Sequence, residues 1–199
     1  DKFEYVEFES TFDPKKSPIY CHTKYPLSRA TLDKYLPEVA SIAKTLAESH
    51  QGEKGIVHTH SFVITQTIQK YLKGKRFLFR EEGTTNEDII REHGLRTDDT
   101  VLVSPSLTMG LDLKGDLGKW QVIVKLPYPS LASKRIKKLF EDDPNWYKMK
   151  MFISLIQACG RCTRSAEDES VTYILDGLSA KVIIENKKIL PKYFLDRIV

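Results

Sequence analysis

The stretch WQVIVKLPYP, residues 120–129, has the pattern of a β-strand followed by a sharp stop. Its first half is rich in β-branched residues, which favour strands, and Pro127 and Pro129 cannot donate to a ladder of backbone hydrogen bonds. Mostly apolar strands of this kind are typical of parallel sheets that helices cover on both faces. We therefore predict that this strand belongs to an α/β domain with a mainly parallel sheet.

The remainder of the chain alternates between similar short runs and segments with helical periodicity. Strands are predicted at GIVHTH (55–60), RFLF (76–79), TVLVSP (100–105) and VTYILD (171–176). Helices are predicted at 27–49, 62–72, 84–94, 133–141, 144–164 and 191–199. This alternation indicates a three-layer α/β fold, with a central sheet flanked by helices. Ligands bind such sheets beyond the carboxyl ends of the strands, so the loops after GIVHTH and TVLVSP are candidate functional edges.

The bulk composition fits one domain and excludes a membrane span. The chain has 199 residues, 41% of them hydrophobic, and no apolar run reaches the ~18 residues that cross a bilayer. A net charge of +4 permits a polyanionic partner without requiring one. Three cysteines, an odd and sparse count, argue against a disulfide framework and indicate a reducing compartment. We expect a cytoplasmic protein, or a nuclear one if the source is eukaryotic.

The amino-terminal segment differs in composition from the rest of the chain. Pro14, Pro18 and Pro26 stand among polar residues, so we expect residues 1–26 to form an arm or linker outside the core. Residues 27–199 then make up the domain. The chain begins at Asp1 without an initiator Met, and we expect it to be a piece of a longer protein.

The segment QACGRCTRS, residues 157–165, allows two incompatible interpretations. Cys159 and Cys162 have the spacing of a redox pair or of half a zinc site, whereas Arg161 and Arg164 could meet a nucleotide phosphate. On a helix the two cysteines fall on the stripe of apolar residues, and the two arginines fall on the polar face. A redox pair normally opens a helix rather than closing one. The pattern therefore favours the arginines as the functional residues.

Several segments, taken in order, resemble the XPD/DinG-like branch of superfamily 2 DNA helicases. QACGRCTRS resembles the last helicase motif, Gln-x-x-Gly-Arg-x-x-Arg, and SPSLTMGLDLKGD (104–116) resembles the motif before it. KLPYP (125–129) follows that motif as it does in this branch, and GIVHTHSF (55–62) resembles the strand that ends in Ser-aromatic. One departure is Met109, which stands where the branch usually has Glu. The resemblance covers residues 55–176 and implies a RecA-like second motor domain.

The resemblance also implies roles for particular residues. Arg164, with Arg161, would reach the γ-phosphate of ATP as an arginine finger. The nucleotide-binding residues would include Gln157, Gly160, Gly110 and Asp112. Single-stranded DNA would be contacted by Ser61, Ser104 and Thr108.

The motifs that hold ATP itself are missing from this chain. No Gly-x-x-x-x-Gly-Lys-Ser/Thr loop and no Asp-Glu-Ala-His box occurs. The resemblance places both in an upstream motor domain of the same polypeptide, which would share ATP with Mg²⁺ and, in many relatives, carry an iron–sulfur cluster. We therefore expect these 199 residues alone to hydrolyse no ATP. Two alternatives stay open: a non-catalytic RecA-like module that binds nucleic acid, and a Cys/His metal protein built with His58 and His60.

Overall fold

The computed structural model of the chain describes residues 4, 10–80, 83, 85–105 and 115–199. Within these ranges a six-stranded parallel sheet forms the centre of the domain. The strands are β1 (Ile19–Cys21), β2 (Gly55–His58), β3 (Phe77–Phe79), β4 (Val101–Ser104), β5 (Trp120–Ile123) and β6 (Val171–Ile174). They lie in the order β1-β6-β5-β2-β4-β3, and every pairing is parallel. The prediction of a mainly parallel central sheet is confirmed.

Helices cover both faces of this sheet. They are α1 (Leu32–Ser49), α2 (Phe62–Tyr71), α3 (Asn86–Leu95), α4 (Lys134–Asp142), α5 (Pro144–Cys159), α6 (Ser179–Glu185) and α7 (Lys192–Leu195). The apolar side chains of α1 and α2 pack on one face. Those of α3, α5, α6 and α7 pack on the other. The three-layer arrangement follows because each amphipathic helix must bury its apolar stripe, and a parallel sheet offers two apolar faces.

The expectation of an irregular arm before residue 27 was wrong for one segment. Ile19–Cys21 form the edge strand β1, which pairs with β6, and the side chain of Ile19 is fully buried. The backbone N–H of Ile19 also donates to the carbonyl of Arg197, 2.7 Å away. Prolines flank this strand without interrupting its hydrogen bonds, as an edge strand permits. The prediction that residues 1–26 link to an upstream domain stays a prediction.

The predicted helix 144–164 ends five residues early. Helix α5 stops at Cys159, and Gly160 is its C-cap. Pro144 begins the helix, and the Asp143 carboxylate accepts the backbone N–H groups of the first turn. The helical projection therefore holds only as far as Cys159. The segment that carries both arginines is a turn.

Candidate functional site

The two arginines lie in a turn that leaves the carboxyl end of α5. We call residues 160–165 the arginine turn. Arg164 is exposed, and Arg161 is half-buried. The backbone N–H of Arg161 donates to the carbonyl of Ala158, 3.0 Å away, which extends the last turn of the helix by one hydrogen bond. One short segment therefore carries two guanidinium groups at the edge of the domain.

Asp168 fixes the far end of the arginine turn. Its Oδ2 accepts the backbone N–H of Arg164 and that of Ser165, each at 2.7 Å. It also accepts the backbone N–H of Gly115, which lies near the end of the SPSLTMGLDLKGD segment. Partial burial works against ionisation, but these hydrogen bonds outweigh it and lower the pKa of Asp168. The carboxylate thus ties together the last two helicase-like motifs of the sequence.

The positive charges of the arginine turn affect the pKa values of groups near it. Burial, followed by the positive charge of Arg164, lowers the pKa of Arg161. Burial and, to a smaller extent, the charge of Arg161 lower the pKa of His58 to about 4 against the opposing effect of its hydrogen bond with Gln121, so this imidazole is neutral at pH 7. A phosphate group has the charge and the oxygen geometry that guanidinium groups bind best.

The two cysteines lie inside the domain. Cys159 packs among the apolar residues under α5 to α7, and Cys162 packs in a separate group with Ile56 and Leu102. Burial raises the pKa of both thiols to about 12. The prediction that both cysteines face the apolar core is confirmed. Only the thiolate attacks disulfides or binds metal, so neither role is favoured here. Among the described residues, no three His, Cys, Asp or Glu side chains are grouped to hold a metal ion.

Gln157 and Gly160 precede the two arginines, at the carboxyl end of α5. Gln157 is exposed on the last turn of α5. A Cβ added to Gly160 would lie 3.5 Å from the carbonyl oxygen of Ile156, which is an ordinary contact. The packing of the domain therefore does not require glycine at this position.

A second exposed region lies at the carboxyl end of β2. Ser61 is the N-cap of α2, and its Oγ accepts the backbone N–H of Ile64 at 3.3 Å. The ring of Phe62 is 48% exposed, with the guanidinium of Arg80 at 5.6 Å from its centroid. His60 is the one described residue other than glycine with a positive φ, 68°. A hydroxyl, an exposed ring and a cation therefore meet at one helix N-terminus.

The remaining predicted site residues fall in or beside the undescribed segment. Ser104 ends β4, is fully buried, and its Oγ donates to Asn86 Oδ1 at 3.4 Å. Its predicted contact with DNA stays a prediction. Thr108, Gly110 and Asp112 lie outside the described residues, as does Met109.

Three residues that hold the arginine turn were not found from the sequence. Asp168 binds one end of the turn. Gln121 and Arg197 both donate to the carbonyl of Cys159, which precedes the other end. An aspartate in a polar loop and a glutamine in an apolar strand match no motif. The glutamine did carry a signal, because a polar residue inside the run WQVIV needs a buried partner.

The fold and these two exposed regions define a RecA-like α/β domain with two arginines in the turn that follows α5. Residues 43–193 match the family of helicase C-terminal domains, and the chain belongs to that family. The resemblance to the XPD-like branch is confirmed. No curated protein sequence matches the chain. In the described part of the chain, none of the helices has the length and apolar content to cross a bilayer.

Solved structures with a similar fold come from XPD helicases. The structure of S. tokodaii Xpd4 superposes with a TM-score of 0.63 at 17% identity, covering 92% of this chain and 37% of that one. A structure titled XPD helicase gives 0.70 at 17% identity, with 92% and 35% covered. An apo XPD structure gives 0.68 at 18% identity, with 86% and 38% covered. This chain therefore spans a little over a third of each.

Proposed function

We propose that this chain is the second motor domain of an ATP-dependent DNA helicase of superfamily 2. In this proposal it completes an ATP site whose other half lies in an upstream motor domain. The observation that carries the proposal is the arginine turn, in which an exposed Arg164 and a half-buried Arg161 lie three residues apart at the edge of the domain. Membership of the helicase C-terminal domain family supports it.

The chemistry of phosphoryl transfer gives the arginines their role. Negative charge spreads over the oxygens of the transferred phosphoryl group in the transition state, and a planar, permanently charged guanidinium group is suited to stabilise it. Arg164, the more exposed of the two, is assigned as the arginine finger. Arg161 supports it and reaches the same phosphate from the half-buried side of the turn. Gln157 and Gly160 line the approach to the nucleotide, and ATP arrives with Mg²⁺ on the upstream domain.

Single-stranded DNA is proposed to cross the carboxyl end of the sheet at the start of α2. The helix N-terminus presents backbone N–H groups that attract a phosphate, and the Ser61 hydroxyl lies beside them. Contacts of this kind position a strand without reading its sequence. The exposed ring of Phe62 offers a surface on which a base can stack. Phe62 lies next to Ser61, and we add it to the DNA-binding residues that were predicted from the sequence.

The test is made in the complete helicase, with its upstream motor domain present. Replacing the proposed finger (Arg164→Ala) is expected to lower kcat for DNA-stimulated ATP hydrolysis by roughly 10³-fold or more, while the Kd for single-stranded DNA stays unchanged. Steady-state ATPase assays and fluorescence anisotropy measure the two quantities. The matched control is Arg91→Ala, which removes an exposed arginine from α3 and is expected to leave both unchanged.

Two results would contradict the proposal. One is ATP hydrolysis at the wild-type rate in Arg164→Ala, which would favour a non-catalytic module that only binds nucleic acid. The other is DNA-stimulated ATP hydrolysis by the 199 residues alone, because the proposal assigns the phosphate-binding loop to another domain.

A further inference from the structure

Three polar side chains form a row on the buried face of the sheet that α5 covers. They belong to His58 of β2, Gln121 of β5 and Thr172 of β6, which lie on adjacent strands. Their exposed fractions are 6%, 0% and 0%. Gln121 pairs in register with Thr172 and with Ile56, two residues before His58. Burying polar groups costs free energy unless they are hydrogen-bonded, so this row needs a structural or functional reason.

The hydrogen bonds of the row fix the orientation of Gln121. Its Nε2 lies 3.2 Å from the carbonyl oxygen of Cys159 and 2.9 Å from Thr172 Oγ1. The carbonyl oxygen can only accept, so the amide nitrogen must face it, and Oε1 faces His58 Nε2 at 3.1 Å. His58 therefore carries its proton on Nε2 and donates it to Gln121. The imidazole holds the amide in the one orientation that reaches α5.

The carbonyl of Cys159 also accepts a hydrogen bond from Arg197, near the carboxyl terminus of the chain. Arg197, which follows α7, donates from Nη2 to this oxygen at 2.9 Å and from Nε to the carbonyl of Ser17 at 2.8 Å. The last carbonyls of a helix have no partner within the helix. A guanidinium group there also complements the negative end of the helix dipole. The residue before the arginine turn is thus held from two directions.

We propose that Gln121, oriented by His58, and Arg197 are positioning residues that hold the arginine turn in place through the carbonyl of Cys159. This inference rests on the proposed function, because it assumes that the turn acts on a nucleotide. Neither residue contacts the nucleotide. Each determines where Arg161 and Arg164 lie relative to it. A displacement of about 1 Å at a reacting group can lower a rate by about 100-fold.

The experiment is a double-mutant cycle in the complete helicase. Gln121→Met keeps the length of the side chain and removes its donors to Cys159. Under saturating single-stranded DNA, this change is expected to lower kcat about tenfold to 100-fold, with KM for ATP and the Kd for DNA within about threefold. In the Arg164→Ala background, the same change is expected to lower kcat less than about twofold, because the proposed finger is absent and only the supporting Arg161 is left to be displaced.

Two further variants distinguish a positioning effect from a general loss of folded protein. Thr172→Val removes the other partner of the Gln121 amide without touching Cys159, and kcat is expected to stay within about twofold of wild type. Arg197→Lys keeps the positive charge at the end of α5 but replaces the rigid fork, whose Nε and Nη2 each reach one carbonyl, with a single nitrogen on a flexible chain. It is expected to lower kcat about fivefold, again only when Arg164 is present.

The outcomes separate this inference from the proposed function. If Arg164→Ala alone hydrolyses ATP at the wild-type rate, the proposed function fails and this inference fails with it. If Arg164→Ala is impaired while Gln121→Met and Arg197→Lys are not, only the positioning role is overturned. The same holds if Gln121→Met lowers kcat by an equal factor in both backgrounds, since that is the behaviour of a residue that only stabilises the fold.

Discussion

The two faces of the sheet differ in chemistry as well as in the helices that cover them. On the face under α1 and α2, the fully buried strand side chains of the core are Val57, Val101, Val103, Trp120 and Val122. On the opposite face, apolar residues share the sheet with the buried row of His58, Gln121 and Thr172. Burial of apolar side chains stabilises the folded chain but has no preferred direction. Hydrogen bonds have preferred angles and therefore fix the orientation of the groups that they join. We infer that the first face supplies stability and the second positions the arginine turn.

A substitution on the apolar face gives the largest expected loss of stability. A Cβ added to Gly55 would lie 2.1 Å from Cε2 of Trp120, a ring that is fully buried and cannot move aside. Gly55→Ala is expected to lower the free energy of unfolding by about 3 kcal/mol. Urea denaturation of the chain, followed by circular dichroism, measures the change.

Its matched control is Gly94→Ala in α3, where an added Cβ meets nothing within 4 Å. Alanine favours a helix over glycine by about 0.5–1 kcal/mol, so this variant is expected to be as stable as wild type or slightly more so. Equal losses from both substitutions would contradict the account of the apolar face.

The polar face is expected to respond to pH through His58. Its pKa is about 4 in the folded chain and 6.5 in the unfolded chain, so the unfolded state takes up the proton first as pH falls. Stability should therefore be complete above pH 6.5 and decline between pH 6.5 and 4, by on the order of 3 kcal/mol. Urea denaturation at a series of pH values measures the decline.

Other groups also titrate in this range, so the comparison is with His58→Gln, which can still donate to the Gln121 carbonyl oxygen but has no proton to gain. The difference in stability between the two proteins should change across pH 6.5 to 4 and stay constant above it. A constant difference throughout would mean that His58 is not held neutral by burial.

The smallest effect is expected on the outer surface, away from both faces. Lys138 of α4 pairs with Asp142 at 2.8 Å, but both side chains are more than half exposed. Water and salt screen such pairs. Lys138→Ala is therefore expected to change Tm by less than about 2 °C, as measured by differential scanning fluorimetry. A larger loss would show that α4 contributes more than a solvated helix face.

Much of the fold could be predicted from the sequence because its strongest signals are local. The runs around Ile56, Leu102 and Val122 read as buried strands from composition alone, and each is a strand. The edge strand at Ile19 was missed, since the prolines around it dominate the local pattern while its hydrogen bonds come from β6 and from Arg197. Helix α6 was not predicted either. Non-local pairing leaves little trace in a short window of sequence.

The candidate site also combines residues that the sequence identifies locally with residues that only the fold brings together. Arg161 and Arg164 could be found from the spacing of their motif. The contacts that hold them could not, because Gln121 and Arg197 meet at Cys159 from sequence positions 38 residues away on each side. The end of α5 was also misplaced. Gly160 allows the helix to stop, but the carbonyl that it leaves behind is satisfied by those two distant side chains.

Binding of a transition-state analogue tests the central claim most directly. In the complete helicase with DNA and Mg²⁺, Arg164→Ala is expected to bind ADP with an affinity within about twofold of wild type, and to bind ADP with aluminium fluoride roughly 10³-fold more weakly. Isothermal titration calorimetry measures both affinities. An arginine finger stabilises the transferring phosphoryl group and not the product, so only the analogue should be affected. Equal losses for both ligands, or no loss for either, would contradict the assignment of Arg164.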